Sequence, residues 1–322
     1  MNTDIALNSL LAILYQHNAA RLADVKRAGR KFAHYTSAEN ALNIISRRSV
    51  WLRNAAVMND HSEIEHGRAI LNDVLESPLG IRFFQAIDNV HDGISLTIRT
   101  RFYQEAHDAR EMTYMTSLCE HEAVDGIGRL SMWRAYGGPR ASVALVFKPL
   151  VVTDPTLALG LTASPVLYGD SKQFAAALTA VVDDLEKNPA IIAALDDMTV
   201  AHVVAGVLHF ALLSMKHQGF EEEREWRILC PVRELPPQAV VKRHIRSIGG
   251  IPQQIYEIPF HGKDDVFLPQ LRWDNMLDSI IVGPSLYPDV IKQALEAELR
   301  SQEVMRWDQL VSISDIPLRS AG

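Results

Sequence analysis

Four short stretches of this chain set polar, charged or aromatic side chains where a plain apolar core has no use for them. The sharpest is Glu223-Arg224-Glu225-Trp226-Arg227, with two carboxylates two residues apart. On a strand, side chains alternate, so Glu223 and Glu225 fall on one face and Arg224 and Trp226 on the other. Two carboxylates on one face repel, and such a pair is tolerated where solvent, a cation or a substrate uses the charge. A carboxylate so placed can accept a hydrogen bond from a sugar hydroxyl and stabilise a growing oxocarbenium charge. The bland alternative is an edge strand with a solvated acidic face, on which Glu225 pairs with Arg227.

The second stretch, His34-Tyr35-Thr36-Ser37, closes a strand just before a helix. A histidine there is commonly a hydrogen-bonded structural residue; as a functional one it could donate to a ribose hydroxyl or a nucleotide oxygen. Tyr35 offers an aromatic face or backbone hydrogen bonds. Thr36 and Ser37 could bind phosphate or simply cap the helix.

In the third, Thr116-Ser117-Leu118-Cys119 is followed by Met132-Trp133-Arg134-Ala135-Tyr136-Gly137. No GxSxG elbow surrounds Ser117. Trp133 and Tyr136 could line a pocket or fill the core, and Arg134 and Arg140 beside Gly137-Gly138 could meet a pyrophosphate. Walker A and GxGxxG sequences are absent, which excludes the standard P-loop and Rossmann modes.

The fourth runs from Asn59 through Asp60, His61, Ser62 and Glu63 to His66. His61 and His66 are five apart and do not share a helical face as the i, i+4 histidines of a zinc HExxH helix do. Asp60 and Glu63 suit a helix N-terminus electrostatically without any ligand. Capping is the favoured reading, with a metal-dependent hydrolase as its rival. His121-Glu122 lacks the second histidine of a zinc motif.

The elements that must hold these stretches follow from periodicity. Residues 4–28 read as an amphipathic helix ended by Gly29, and 31–36 as a strand. Ser37 then caps a helix whose inner face is Ala38, Ala41, Leu42, Ile44 and Ile45. Val50-Trp51-Leu52 is a strand, and Ser62 with Glu65 forms a capping box for the next helix. Helical sequence covers 81–109, and two helices divided near Asn188-Pro189 cover 171–217. Strands are expected at 112–119, 142–147, 226–229, 255–260 and 279–282, with a closing helix at 288–300. Strands and helices mix without a βαβ rhythm, which predicts an α+β fold, here taken as one domain over 1–322 with helical insertions near 62–109 and 171–217.

No run approaches the roughly 18 apolar residues of a membrane span. Only Cys119 and Cys230 are present, which suggests a reducing, cytoplasmic setting. The net charge of -7 argues against a general DNA-coating role.

Read together, these stretches resemble a family of mostly bacterial proteins known as domain of unknown function twenty-nine seventy-one. The pieces are His34-Tyr35-Thr36, Val50-Trp51-Leu52, Asn59-Asp60, Thr116 to Cys119, Met132 to Gly137 and Glu223 to Arg227. Two later ones are Ser279-Ile280-Ile281-Val282-Gly283-Pro284 and Ser314-Asp315-Ile316-Pro317-Leu318-Arg319.

A looser similarity is to ADP-ribosyltransferases of the His-Tyr/Ser-Glu type. These carry a first-strand His or Arg, a middle-strand aromatic or Ser, and a last-strand Glu, often within Glu-x-Glu. His34, then Ser117 or Tyr136, then Glu225 with Glu223 two before it match that order; Tyr35 departs from the His-Gly-Thr spelling of one branch. The resemblance implies a split-sheet core with a helical elaboration, NAD as substrate and no metal. In it Glu225 orients the nicotinamide ribose, Glu223 positions the acceptor, and nicotinamide lies at the His34-Tyr35 backbone against Tyr136. Arg53 or Arg134 holds the pyrophosphate, and Thr36, Ser117 and Trp133 line the NAD site. It further implies a protein or nucleic-acid acceptor, a toxin or antiviral role, and an antitoxin or regulator protein as partner. The alternatives are an NAD glycohydrolase and a non-catalytic nucleotide- or protein-binding module.

Overall fold

The computed structural model describes residues 2–57, 61–136, 141–153, 160–231, 241–248, 250–260 and 272–317. Contacts divide the chain into two compact units, each assembled from three stretches. The first comprises Met1–Asp24, Asn54–Thr113 and Ser164–Arg224; the second comprises Val25–Arg53, Tyr114–Ala163 and Glu225–Gly322.

Twelve strands are described. In chain order they are β1 (Lys31–Ser37), β2 (Ser49–Asn54), β3 (Thr113–His121), β4 (Ser142–Phe147), β5 (Thr162–Pro165) and β6 (Leu167–Tyr168). Then come β7 (Met215–Lys216), β8 (Glu225–Pro231), β9 (Lys242–Ile248), β10 (Ile251–Pro259), β11 (Leu277–Val282) and β12 (Val311–Ile313). Helices precede and separate these strands along the chain, so the protein is of mixed α+β build around one large mixed sheet.

The helical unit gathers the N-terminal helices and the helical stretches that the sequence set between the strands. Its core packs Leu10, Leu71, Phe83, Ile98, Leu185 and Val204, among others, from six helices. Its boundaries follow local chemistry. Ser77 caps the helix Pro78–Asp88 with Pro at the first turn, and Asp170 with Gln173 closes a capping box on Ser171–Lys187. Asn188-Pro189 ends that helix, as its sequence predicts. The single helix expected over 4–28 is two, Thr3–Leu14 and Gln16–Arg27, broken at Tyr15. The region 81–109 likewise holds two, Pro78–Asp88 and Ile94–Met112.

The sheet unit carries the order β12-β11-β4-β1-β3-β2-β10-β9, with β8 also pairing with β3. β4 sits well inside it, and all six of its residues are buried, as a short apolar run covered on both faces requires. Ser37 caps the helix Ala38–Arg47, accepting from the Asn40 amide at 3.2 Å. Its inner face is Ala41, Ile44 and Ile45; Leu42, expected there, is exposed. β9 ends the sheet as a mostly polar edge strand, Lys-Arg-His-Ile-Arg-Ser-Ile, whose charges blunt an open edge. Among the described residues no helix is long and apolar enough to cross a membrane.

Candidate functional site

The site grows from the way β1 meets its two neighbours. β1 pairs with β4 along Phe32–Ser37, but with β3 over Lys31–Ala33, ending at Ala33↔Cys119. The Ala38 amide donates to the Ala141 carbonyl at 3.2 Å, which sets the phase of the β1–β4 ladder. In an antiparallel pair the hydrogen-bonded residues alternate, so 34 and 36 turn their backbone toward β4 and 33 and 35 turn away. The backbone N–H and C=O of Tyr35 therefore face the side on which β3 has already left its pairing with β1.

Continuing the register would set Tyr35 opposite Ser117. The imidazole of His34 takes the position instead: its Nδ1–H donates to the Ser117 carbonyl at 2.9 Å. That bond fixes the tautomer, leaving Nε2 as an acceptor while the ring is neutral. Burial lowers the His34 pKa, opposed in part by the Ser117 carbonyl, so the ring is uncharged at neutral pH.

Ser117 bonds in a second direction. Its hydroxyl donates to Oε1 of Glu225, the first residue of β8, at 2.5 Å. Arg227, two residues on and hence on the same face of β8, grips the carboxylate with Nε to Oε1 at 2.9 Å and Nη2 to Oε2 at 3.3 Å. Both residues are 4% exposed. The pairing of Glu225 with Arg227 is the one the bland reading foresaw, yet it is buried where that reading had it solvated. At such a site the arginine offsets the cost of desolvating the acid, and removing either partner alone costs about 3–5 kcal/mol.

The aromatic residues of the third stretch lie under one face of β1. Tyr35, Cys119, Met132 and Trp133 form one cluster with Tyr136 packed against it. Tyr35 meets Trp133 edge to face at 4.7 Å, its hydroxyl accepts from the Arg129 amide at 3.1 Å, and burial pushes its pKa up to about 12. Trp133 donates Nε1–H to the Ile127 carbonyl at 3.1 Å. Gly283 closes the same cluster, since a Cβ there would stand 2.8 Å from the Trp133 ring. Tyr35 and Trp133 are thus core residues, and Tyr136 is half-buried. Ser117 shares its face of β3 with Cys119, by alternation, so the Glu225 contact opens on the same side as this cluster.

Thr36 is buried in β1. Arg53, on β2, donates from Nε to Gln253 Oε1 at 3.1 Å. Arg134 is exposed on the short helix Leu130–Tyr136. Asn59, Asp60, Gly137, Gly138, Arg140, Leu318 and Arg319 lie outside the described residues.

Glu223 requires a correction. It was expected to share a strand face with Glu225, but β8 begins only at Glu225. Glu223 ends a 3-10 turn, and Arg224 between them is left-handed at φ 45°, which breaks the strand alternation. Glu223 belongs to the helical unit, where Lys216 Nζ meets it at 2.6 Å and Glu63 at 3.0 Å.

The fourth stretch therefore supplies a partner for a buried lysine. His66 bonds through Nε2 to the Gly169 carbonyl at 3.0 Å. Among the described residues no group of three or more His, Cys, Asp or Glu is arranged to hold a metal ion.

Sequence reasoning passed over Lys216, which is 3% exposed, and Glu120, which is 1% exposed. Glu120 accepts from Trp226 Nε1 at 3.1 Å and from Arg30 at 3.4 Å. The one acid of β3, set directly after the apolar pair Leu118-Cys119, was the signal for the latter. Two cavities, one of about 100 Å³ in the helical unit and one of about 260 Å³ beside Trp273, include neither His34 nor Glu225 in their walls.

No curated protein and no solved structure matches the chain. Residues 132–228, which take in Trp133, Tyr136, β4 and the start of β8 with Glu225 and Arg227, match the family described as "Protein of unknown function (DUF2971)".

Proposed function

We propose that the sheet unit binds NAD where β1 and β3 part, and that the protein is an ADP-ribosyltransferase with Glu225 as its catalytic carboxylate. The observation that carries this reading is the junction at Ser117. An early-chain imidazole holds its carbonyl while a late-chain carboxylate holds its hydroxyl. The parting of β1 from β3 beyond Ala33↔Cys119 supports a split-sheet core of the ADP-ribosyltransferase kind.

In this reading the nicotinamide carboxamide pairs with the backbone of Tyr35 at the open edge, and Nε2 of His34 accepts from a ribose hydroxyl. Glu225, held in line by Ser117, accepts a hydrogen bond from the 2′-hydroxyl of the nicotinamide ribose. As the C1′–N bond breaks, nicotinamide leaves with the bonding electrons and the carboxylate stabilises the oxocarbenium charge. A nucleophile of the acceptor then bonds to C1′ and gives up its proton. Tyr136, half-buried beside the Tyr35 cluster, offers the aromatic wall, and no step calls for a metal.

A second reading is favoured by one observation: Glu225 is buried in a two-pronged ion pair with Arg227. In that case the same seam is a rigid, non-catalytic module that binds a nucleotide or a protein. Water in place of the acceptor makes the enzyme a glycohydrolase. Incubation with cell lysate and NAD labelled in its adenosine half separates the three. Label on a macromolecule supports transfer, free labelled ADP-ribose supports hydrolysis, and intact NAD throughout supports the module.

A further inference from the structure

The helical unit holds a cavity that the NAD reading does not use. It lies between the end of the first helix at Leu14, the helix Ser171–Lys187 and the helix Asp197–Leu212, with a volume of about 100 Å³. Leu14, Phe83, Leu178, Val204, Leu208 and Met215 are among the apolar residues of its wall. Among the described residues no Asp, Glu, Lys or Arg lines it, which makes that wall unfit for a nucleotide, a phosphate or any charged ligand.

Its polar groups gather from three chain segments: His17 and Asn18, just past the break at Tyr15, then Ser164, and finally Ser214. Asn18 Nδ2 donates to Ser164 Oγ at 3.4 Å, and Ser164 Oγ reaches the Pro165 carbonyl at the same length, both weak bonds. Ser214 is 3% exposed, and its hydroxyl has no hydrogen-bond partner among the described residues. A buried hydroxyl left unsatisfied costs about 1–3 kcal/mol, so natural sites keep one where something supplies the missing bond. Burial and the nearby Arg21 lower the pKa of His17, so at neutral pH it faces the cavity as an uncharged ring with one donor and one acceptor. The volume is about two-thirds of the roughly 150 Å³ of an apolar cavity that takes benzene, which sets a single small ring as the upper limit.

We propose that this cavity is a binding site for a small neutral molecule with an apolar body of about six heavy atoms and one hydroxyl or carbonyl group, met by Ser214. The site is independent of the NAD reading, and failure of either leaves the other standing.

The test uses the full chain with phenol and benzene as probes, followed by titration calorimetry. Phenol is expected to bind saturably and roughly fivefold tighter than benzene, the share of one hydrogen bond. Ser214→Ala should remove that preference and leave benzene binding in place. Ala211→Leu, which fills the cavity from its wall, should abolish binding of both. Absence of saturable phenol binding to the unaltered protein overturns the proposal, as does phenol binding that survives Ala211→Leu. Should Ala211→Leu fail to fold, methyl NMR of the unaltered protein decides: phenol must shift Leu14, Leu178 and Leu208, and shifts confined elsewhere overturn the site.

Discussion

Two buried ion clusters, one in each unit, look alike in composition and differ in what else their acids touch. In the helical unit Lys216 stands between Glu63 and Glu223, with its ammonium 4.9 Å from the Phe220 ring, and the cluster ties a helix to a turn. In the sheet unit Arg227 holds Glu225, and Glu225 in turn holds Ser117, whose carbonyl holds His34. The first set joins its charges to one another and to an aromatic ring. The second continues into a strand edge whose backbone has parted from its neighbour. Two glutamates spaced two apart in sequence thus do different work, and the left-handed Arg224 between them is the physical cause.

The largest effects come from removing the cations. Arg227→Met leaves the buried Glu225 without its counter-charge and is expected to cost about 3–5 kcal/mol in urea unfolding, and Lys216→Met, which does the same to the half-buried Glu63 and Glu223, about 2–3 kcal/mol. Only Arg227→Met should alter NAD cleavage per folded molecule. An NAD-cleavage loss on Lys216→Met at unchanged stability would erase the distinction between the clusters.

The histidines sharpen it next. His209, buried in the helical unit with Nε2 at 3.2 Å from Thr113 Oγ1, has its pKa lowered to about 4 by burial. Its folded pKa lies below the unfolded value of about 6.5, so between those values the unfolded chain binds more protons and stability falls as pH drops. The loss is on the order of 3 kcal/mol, complete near pH 4, and His209→Gln should flatten it in melts taken from pH 7 to pH 4. His34 is also lowered, by burial. Its readout is activity: NAD cleavage should hold level as pH falls to 6.5 and drop only below that. A rate that falls between pH 8 and 6.5 would contradict a neutral His34.

Much of this was legible because it is local. Ser142–Phe147 announces a doubly covered strand, Ser37 announces a cap, and Asn188-Pro189 announces a break. His34, Ser117 and Glu225 were legible as candidates from residue type and order. Their meeting at one backbone carbonyl was not, because it depends on where β3 leaves β1. The shared face of Glu223 and Glu225 failed because alternation presumes extended backbone at Arg224. β9 was missed because an edge strand of alternating cations has no apolar face to give it away. The division into two units was equally hidden, since each is stitched from stretches far apart in sequence.

Smaller effects probe the walls of the seam. Gly283→Ala forces a methyl against the Ser142 hydroxyl and the Trp133 ring and should cost roughly 2 kcal/mol by overpacking, read as a lowered melting temperature. Ser117→Ala removes one hydrogen bond to a carboxylate and should cost about 1.5 kcal/mol, with NAD cleavage slowed about tenfold. Full activity in Ser117→Ala would show that the junction holds the fold and no more.

The most direct measurement compares nicotinamide release from NAD by the unaltered protein and by Glu225→Gln combined with Arg227→Met, which removes both charges together and leaves neither buried alone. The account predicts release by the unaltered protein and a rate lower by about two to three orders of magnitude in the double variant, both normalised to folded protein. Equal rates in the two, or no release from the unaltered protein, would contradict it.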